Sequence, residues 1–182
     1  MPAATRNPPK PSRKRQRPSL FWTTLQIQID NSHAETFPAD ALAVLCFEAE
    51  NGKAAAPAVA SEITHYPPLA AQSGWLADIR SSGEFTAKTG ELALLHRPEG
   101  IGAKRLVVAG AGRLEKFLPV DARRAAGALV RALKAKGVRK LALLAREPYT
   151  AEEIEALAEG AILGAWEPGA YKSDGNRDEK EI

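Results

Sequence analysis

Two contrasting apolar patterns open the folded part of the chain. Leu25, Ile27 and Ile29 alternate with glutamines, which is the period of two expected of a strand with one wet face. Residues 41–47 (ALAVLCF) form a short, almost unbroken apolar run, which is typical of a strand covered on both faces. We therefore expect an edge strand at 25–29 and a central strand at 41–47.

The next periodic segment follows Pro67 and Pro68. Proline is tolerated in the first turn of a helix, because the backbone donor it lacks would be unpaired there. From Pro68 onward, Leu69, Leu76 and Ile79 fall on one side of a helix that should stop near Gly83. The pattern predicts a helix packed by this apolar side.

Strand and helix patterns alternate through the middle of the chain. Segments 91–96 and 104–109 are apolar strands separated by turn-forming residues around Gly100, so an antiparallel pairing is open to them. Segment 119–136 repeats apolar residues at offsets of three and four, and Gly137 stands where a left-handed cap is needed. These features predict two strands and a long amphipathic helix.

The last two predicted elements are a strand at 140–145 and a helix that begins after Thr150. Thr150 and Glu153 have capping-box spacing, in which each side chain satisfies an orphan backbone donor. The predicted apolar stripe of this helix is Ile154, Leu157, Ala158, Ala161 and Ile162. Helices that follow strands in this way predict a three-layer α/β/α fold, with a mixed, mostly parallel sheet covered on both faces.

Charge is unevenly distributed along the chain, and the net charge does not show this. Residues 1–20 contain six basic and no acidic side chains, so the formal total of +3 less this +6 leaves −3 for the rest. The same stretch holds five prolines, which disfavour an amphipathic targeting helix. We interpret it as a disordered basic tail. The alternative is electrostatic attachment to nucleic acid or to an acidic surface through Arg13, Lys14 and Arg15.

Composition limits the class of protein. At 182 residues and 45% hydrophobic content, the chain can bury the core of one domain. We find no long apolar run and no secretory signal pattern, and therefore expect a soluble, cytoplasmic protein with no membrane partner. Cys46 is the only cysteine, so no intramolecular disulfide can form.

Candidate catalytic chemistry is sparse. His33, His65 and His96 are spread out, without the H-E-x-x-H spacing of a zinc helix. Asp40 and Glu48 bracket the predicted central strand, where we interpret both as structural. We therefore assign no catalytic residue and no metal ligand.

Weak ligand-site candidates surround a glycine turn. Gly110 and Gly112 end a predicted strand, where glycine amides can approach a phosphate. Glu115 replaces the third glycine of a dinucleotide fingerprint, so a turn that requires positive φ is the competing interpretation. Lys88 precedes Gly90, and we interpret it as an exposed turn lysine; the alternative is a side chain that points into a cleft towards a neighbouring domain.

Aromatic residues provide interface candidates. Trp166 and Tyr171 follow the last predicted helix, and Lys172 adjoins them. Large aromatic groups with a polar tip are enriched at contact hot spots. We assign these three residues to a predicted interdomain surface, whereas Trp75 is explained as well by core packing.

Several segments together resemble a known family. These are 85–91 (FTAKTGE), 104–112 (KRLVVAGAG), and an ending that runs from Glu159-Gly160-Ala161 to Tyr171-Lys172-Ser173-Asp174. Their order and spacing resemble the amino-terminal domain of leucyl aminopeptidases, the M17 metallopeptidases, over about residues 24 to 174. The corresponding division is a tail at 1–22, the domain at 23–171 and a linker at 172–182.

The resemblance carries expectations about fold and function. It implies a macro-domain-like α/β fold beside a larger catalytic domain with two divalent metals, zinc or manganese, and assembly into homo-oligomers. The family's D-S-G-G and N-T-D-A-E-G-R motifs are absent from these 182 residues, so we expect no cofactor and no peptide hydrolysis by this chain alone. The alternative is a macro-like module that binds a nucleotide or ADP-ribose.

Overall fold

The computed structural model describes residues 25–30, 36–48, 70–145 and 149–166. Within them the chain forms four strands, three α-helices and a short 3-10 turn, Leu114–Lys116. The strands are β1 (Ala41–Cys46), β2 (Leu92–His96), β3 (Arg105–Gly110) and β4 (Leu141–Leu144). The helices are α1 (Ser73–Ser81), α2 (Pro119–Lys134) and α3 (Ala151–Ala165).

The four strands form one mixed sheet in the order β2-β3-β1-β4. β1 pairs in parallel with β3, where Val44 is opposite Val108, and in parallel with β4, where Ala43 is opposite Leu143. β2 pairs antiparallel with β3. The predicted mixed, mostly parallel sheet with a central β1 is therefore confirmed, and so is the antiparallel pair.

Alternate residues of β1 enter two separate cores, one on each face of the sheet. Leu42 and Val44 pack with Leu76 and Ile79 of α1. Ala41, Ala43 and Leu45 pack on the other face with α2 and α3, through residues such as Leu129 and Leu157. The helices thus cover both faces, which explains why β1 is apolar at every position.

Helices α2 and α3 approach each other closely because glycine lies at their contact. A Cβ at Gly160 would overlap the carbonyl group of Arg123, and one at Gly164 would lie 2.5 Å from the carbonyl oxygen of Gly127. Both helices start at the same end of the sheet, since Lys134 at the end of α2 donates from Nζ to the carbonyl of Ala165 at the end of α3, at 3.0 Å. The small residues therefore set the interhelical distance.

Caps fix the helix boundaries much as the sequence predicts. The Thr150 hydroxyl accepts from the Glu153 amide at 3.2 Å, and the Glu153 carboxylate accepts from the Thr150 amide at 2.8 Å, which confirms the capping box. Gly137 has a φ of +72°, as predicted, although α2 itself ends at Lys134, earlier than expected.

Three expectations need correction. Residues 25–30 form no strand, and Ile29 is 83% exposed, because an alternating pattern becomes a strand only where it pairs with a neighbour. Helix α1 starts at Ser73, later than Pro68, while Pro68 and Leu69 lie outside the described residues. The predicted stripe of α3 is also displaced, since Gly160 is buried and Ile162 is 55% exposed.

The direction of the three parallel strands distinguishes the two ends of the sheet. We call the end where β1, β3 and β4 begin the amino edge, and the end where they finish the carboxyl edge. Residues 97–104 and 135–140 join elements at the amino edge, whereas 111–118 and 149–150 lie at the carboxyl edge. Ligands in α/β proteins commonly bind at the carboxyl edge, and the glycine turn that follows β3 lies at this edge.

Candidate functional site

The backbone amides of the glycine turn are engaged within the protein. Gly110 donates to the carbonyl of Glu91 at 2.8 Å, Ala111 to that of Cys46 at 2.8 Å, and Gly112 to that of Ala87 at 3.0 Å. A phosphate cradle needs amide hydrogens that point towards the ligand. The turn therefore uses its three donors to join β1, β3 and the preceding loop.

Glycine is required in this turn for packing and for backbone conformation. A Cβ at Gly110 would overlap the backbone of Ala87 and Lys88, and one at Gly112 would lie 2.7 Å from Oγ1 of Thr89. Gly112 also has a φ of +77°, which L side chains rarely adopt. These constraints match the interpretation of Gly110 and Gly112 as a structural turn.

The loop at 85–91, which packs against Gly110 and Gly112, is held by the carboxylate of Glu91. Its carboxylate accepts from the Thr86 amide at 2.7 Å, the Thr86 hydroxyl at 2.8 Å and the Lys88 amide at 3.3 Å. Desolvation of the Glu91 carboxyl raises its pKa, but the hydrogen bonds from Thr86 and Lys88 outweigh this and leave the pKa below its usual value. The buried Ala87, with a φ of +65°, is held in place between these contacts.

Lys88 itself is exposed on this loop. Its amide helps to bind Glu91, while its side chain lies on the surface of the described part of the chain. Of the two interpretations of Lys88, this position matches an exposed lysine in a turn.

Asp40 and Glu48 occupy opposite ends of β1. Asp40 accepts from Nζ of Lys104 at 2.8 Å and from the amides of Arg139 and Lys140 at 3.1 Å each. The hydrogen bond from Lys104, followed by those two amides, lowers the pKa of Asp40 to about 2. Glu48 lies 3.8 Å from Nε of Arg113. Both carboxylates are therefore structural, as predicted.

Side chains suited to metals or nucleophilic chemistry are dispersed. Among the described ranges, no group of three or more His, Cys, Asp or Glu side chains converges on a common point. Cys46 is fully buried in β1, and His96 is exposed at the end of β2. His33 and His65 lie outside the described residues.

An exposed apolar surface lies on the outer side of α3. Ile162, Leu163 and Trp166 are 55%, 60% and 61% exposed. Beside them Nε of Arg123 donates to Glu159 at 2.7 Å, joining α2 to α3 at the rim. We call Ile162, Leu163 and Trp166 the α3 surface. Tyr171 and Lys172, the other interface candidates, lie outside the described residues, and Trp75 packs partly buried against the core.

The sequence pattern indicates only one member of the α3 surface, Trp166. The pattern places Ile162 in the buried stripe, and Leu163 falls outside that stripe. A large apolar residue out of phase with its helix is the signal that would have found this surface.

Comparison with known proteins accounts for the fold. A family model described as "Cytosol aminopeptidase family, N-terminal domain" matches residues 43–175. The chain belongs to the cytosol aminopeptidase family. The match covers most of the chain, and it bears out the resemblance to the M17 amino-terminal domain drawn from the sequence motifs.

Individual relatives support the same assignment. The chain is 42% identical over 97 residues to a probable cytosol aminopeptidase of Solibacter usitatus, covering 53% of this chain and 20% of the relative. It is 32% identical over 109 residues to leucine aminopeptidase 1 of Arabidopsis thaliana, covering 58% of this chain and 21% of the relative. The chain thus matches about a fifth of the length of these family members.

A solved structure agrees on the fold. A variant of tomato leucine aminopeptidase superposes with a TM-score of 0.53 at 23% identity, covering 80% of this chain and 29% of that chain. Among the residues that the structure describes, no helix of this family member is both long and apolar enough to cross a lipid bilayer.

Proposed function

We propose that this chain is a non-catalytic, cytoplasmic domain that packs on the catalytic domain of a leucyl-aminopeptidase-type enzyme and supports assembly of its homo-oligomer. The observation that carries the proposal is the α3 surface. Ile162, Leu163 and Trp166 leave more than half of each side chain in water, although they belong to a helix whose other side is buried. The chain would act by its position on the catalytic domain, and the catalytic domain would break the bonds of the substrate.

The composition of the α3 surface suits a protein contact. Contiguous exposed apolar side chains with a polar rim are a common feature of interaction sites, and tryptophan is enriched among residues that dominate binding energy. The Arg123–Glu159 ion pair supplies a polar rim that is already satisfied. Docking would therefore bury apolar area without stranding a charge.

The metals expected of the parent family would belong to the partner domain. Two-metal hydrolysis requires side chains that converge on paired divalent ions, and the described residues of this chain offer no such group. Zinc or manganese would thus act in the catalytic domain, where removal of amino-terminal residues from peptides would take place.

A binding experiment tests the proposal. The full chain, with an affinity tag, would be titrated with a separately expressed M17 catalytic domain from the same organism, and the complex followed by sedimentation velocity. Replacing Ile162, Leu163 and Trp166 with serine should weaken binding on the order of 30-fold, as expected when hot-spot residues are truncated. Unchanged affinity of this triple variant would reject the α3 surface as the contact.

The matched control carries serine at Leu114 and Leu118, which are 51% and 58% exposed at the carboxyl edge. This control should bind like the unmodified chain.

A second experiment tests the non-catalytic role: the purified chain would be assayed with leucine amide in the presence of Mn²⁺ or Zn²⁺. Turnover that is abolished by a chelator and restored by added metal would contradict the non-catalytic role.

A further inference from the structure

A second exposed apolar surface lies where the chain enters α2 at the carboxyl edge. Leu114, Leu118 and Val120 are exposed and fall within seven consecutive positions. The Phe117 amide donates to the carbonyl of Leu114 at 3.1 Å, and the Asp121 amide donates to that of Leu118 at 2.8 Å, so their backbone is held in two consecutive turns. We call Leu114, Leu118 and Val120 the α2 entry surface. Neighbouring exposed apolar side chains are typical of interaction sites.

The α2 entry surface is anchored to the sheet. Between its members, the ring of Phe117 packs edge-on against Phe47, just after β1, with ring centroids 5.1 Å apart. Phe117 and Tyr149, which precedes α3, pack against the same core. The starts of α2 and α3 therefore both lie at the carboxyl edge, together with the α2 entry surface.

The beginning of α3 extends beyond the beginning of α2. Gly160 contacts the backbone of Arg123, and α3 begins nine residues before Gly160, whereas α2 begins four residues before Arg123. At 1.5 Å per residue, α3 therefore overhangs the start of α2 by about 7 Å. Glu152 and Glu155 of this overhang are exposed and form no ion pair with the other described residues. Their carboxylates are available to a cation at the level of the α2 entry surface.

The two ends of the sheet have opposite charge. At the carboxyl edge, the connecting segments contain eight acidic and three basic residues, a net charge of −5; these segments are 47–48, 82–91, 111–121 and 149–155. At the amino edge, they contain seven basic and two acidic residues, a net charge of +5; these segments are 36–40, 96–105 and 134–140. A cationic peptide is therefore attracted to the carboxyl edge and repelled from the amino edge.

The sequence that precedes the described residues has a complementary composition. Residues 1–24 contain six basic side chains and no acidic one. Four of the six lie in 13–17 (RKRQR), and three large apolar residues, Leu20, Phe21 and Trp22, follow almost at once. We call residues 13–22 the basic-aromatic segment. Its cations match the acidic carboxyl edge, and its apolar residues match the α2 entry surface.

The chain is long enough to bring the basic-aromatic segment to the α2 entry surface. Residues 36–40 enter β1 from the amino edge, and 14 peptide units separate Trp22 from Thr36. They span up to about 45 Å when extended, whereas the six residues of β1 cover about 20 Å. Covalent connection also raises the local concentration of the segment above that of a second copy. The segment can therefore reach the opposite end of its own sheet.

We propose that the basic-aromatic segment docks on the α2 entry surface of its own chain. Its apolar residues cover Leu114, Leu118 and Val120, while its basic run faces the carboxylates of Glu152 and Glu155. Such a contact buries exposed apolar area and pairs opposite charges. The α2 entry surface is then closed to other partners until the segment is displaced. This inference is independent of the proposed packing of the α3 surface on a catalytic domain.

The α3 surface suits the basic-aromatic segment less well. The carboxylate at its rim, Glu159, is already bound by Arg123 at 2.7 Å. Nζ of Lys134 donates to the carbonyl of Ala165, next to Trp166. A cationic segment would therefore meet a paired carboxylate and a lysine at the α3 surface, whereas the α2 entry surface offers unpaired carboxylates.

A spin label on the full chain tests the docking. The nitroxide would be attached to the Ser19→Cys variant, and Cys46 is fully buried, so the label should react at position 19 alone. We expect loss of amide NMR signals from Leu114, Leu118 and Val120 at about 0.01 M salt, where the screening length is about 30 Å. These signals should return at about 1 M salt, where the screening length is about 3 Å. Signals from 97–104 at the amino edge should stay unchanged throughout.

Substitutions in the labelled chain identify the contacting groups. Leu114→Ser combined with Leu118→Ser should restore the signals of 114–120, and so should glutamine at Arg13, Lys14 and Arg15. The matched control is Ile162→Ser combined with Leu163→Ser, which removes equally exposed apolar side chains from the α3 surface and should leave the signal loss in place. Equal behaviour of the two serine variants would overturn the inference.

The location of the signal loss decides between occupants. Loss confined to the α3 surface or to the amino edge, or no localised loss at low salt, would overturn the inference. Mixing spin-labelled chains with isotope-labelled chains that carry no spin label tests for a second copy. We expect no loss in the latter, and loss there at 114–120 would assign the contact to another chain and overturn docking within one chain.

Discussion

Lys104 donates from Nζ to Oδ1 of Asp40 at 2.8 Å, joining the start of β3 to the start of β1. The other oxygen of Asp40 accepts the amides of Arg139 and Lys140 just before β4. One carboxylate thus aligns the beginnings of three neighbouring strands.

Asp40 should make stability depend on pH in the acid range. The pKa of Asp40 in the folded protein is about 2, below its usual value of 3.8, so folding favours its charged form. The resulting stabilisation is complete above the unfolded value and is lost as pH falls from about 4 towards 2. Asp40→Asn should be less stable at pH 7 and should show a smaller loss between pH 4 and 2, as measured by urea unfolding. The control is Glu115→Gln, which removes an exposed carboxylate at the carboxyl edge and should retain the pH dependence of stability of the unmodified chain. If Asp40→Asn also retains that pH dependence, Asp40 does not cause it.

The contact between α2 and α3 predicts an unusual response to alanine. Although alanine favours a helix over glycine by about 1 kcal/mol, a Cβ at Gly160 would overlap the carbonyl of Arg123. Gly160→Ala should therefore destabilise the domain by about 1–3 kcal/mol through overpacking. Gly74→Ala on α1 is the control, because a Cβ there meets nothing within 4 Å, and it should stabilise by about 0.5–1 kcal/mol. Urea unfolding of both variants decides the matter, and a more stable Gly160→Ala would refute the close approach.

The Glu91 carboxylate should determine the order of the loop at 85–91. Glu91→Gln removes a charged acceptor of three hydrogen bonds, which should cost about 1 kcal/mol because the site is partly solvated. Amide hydrogen exchange should become faster at Thr86 and Lys88. The neighbouring substitution Glu84→Gln, at an exposed position, should leave both exchange rates unchanged. Equal protection in the two variants would exclude the proposed clamp.

Thr150 should account for part of the stability of α3. Its hydroxyl accepts the Glu153 amide at 3.2 Å, and loss of such an N-cap costs about 1 kcal/mol. Thermal and urea unfolding of Thr150→Ala should show this loss, whereas Thr150→Ser keeps the acceptor and should remain close to the unmodified chain. Equal destabilisation by both substitutions would point to packing of the Thr150 methyl group instead.

Prediction from sequence succeeded where a local pattern had one structural solution. The unbroken apolar run of β1, the three-and-four spacing of α2 and the capping box at Thr150 each describe interactions between near neighbours in the chain. The alternation at Leu25, Ile27 and Ile29 failed to predict a strand because a strand also needs a neighbouring strand, and the sheet of the described residues does not include 25–30. The candidate site was harder to predict than the fold. Gly160 and Gly164 place one side of α3 against α2, and Leu163 is exposed because it lies on the other side.

The amino-acid sequence by itself determined the order and type of the elements from β1 to α3, the N-terminal cap of α3 and the family motifs, because these depend on residues within a few positions of one another. Tertiary structure decided how distant groups are used. It paired the amides of Gly110 and Gly112 with carbonyls from other segments, exposed Ile162, and brought the Arg105 side chain to the carbonyl of Lys136. These outcomes depend on which segments meet in space, and side-chain spacing along the chain does not specify that.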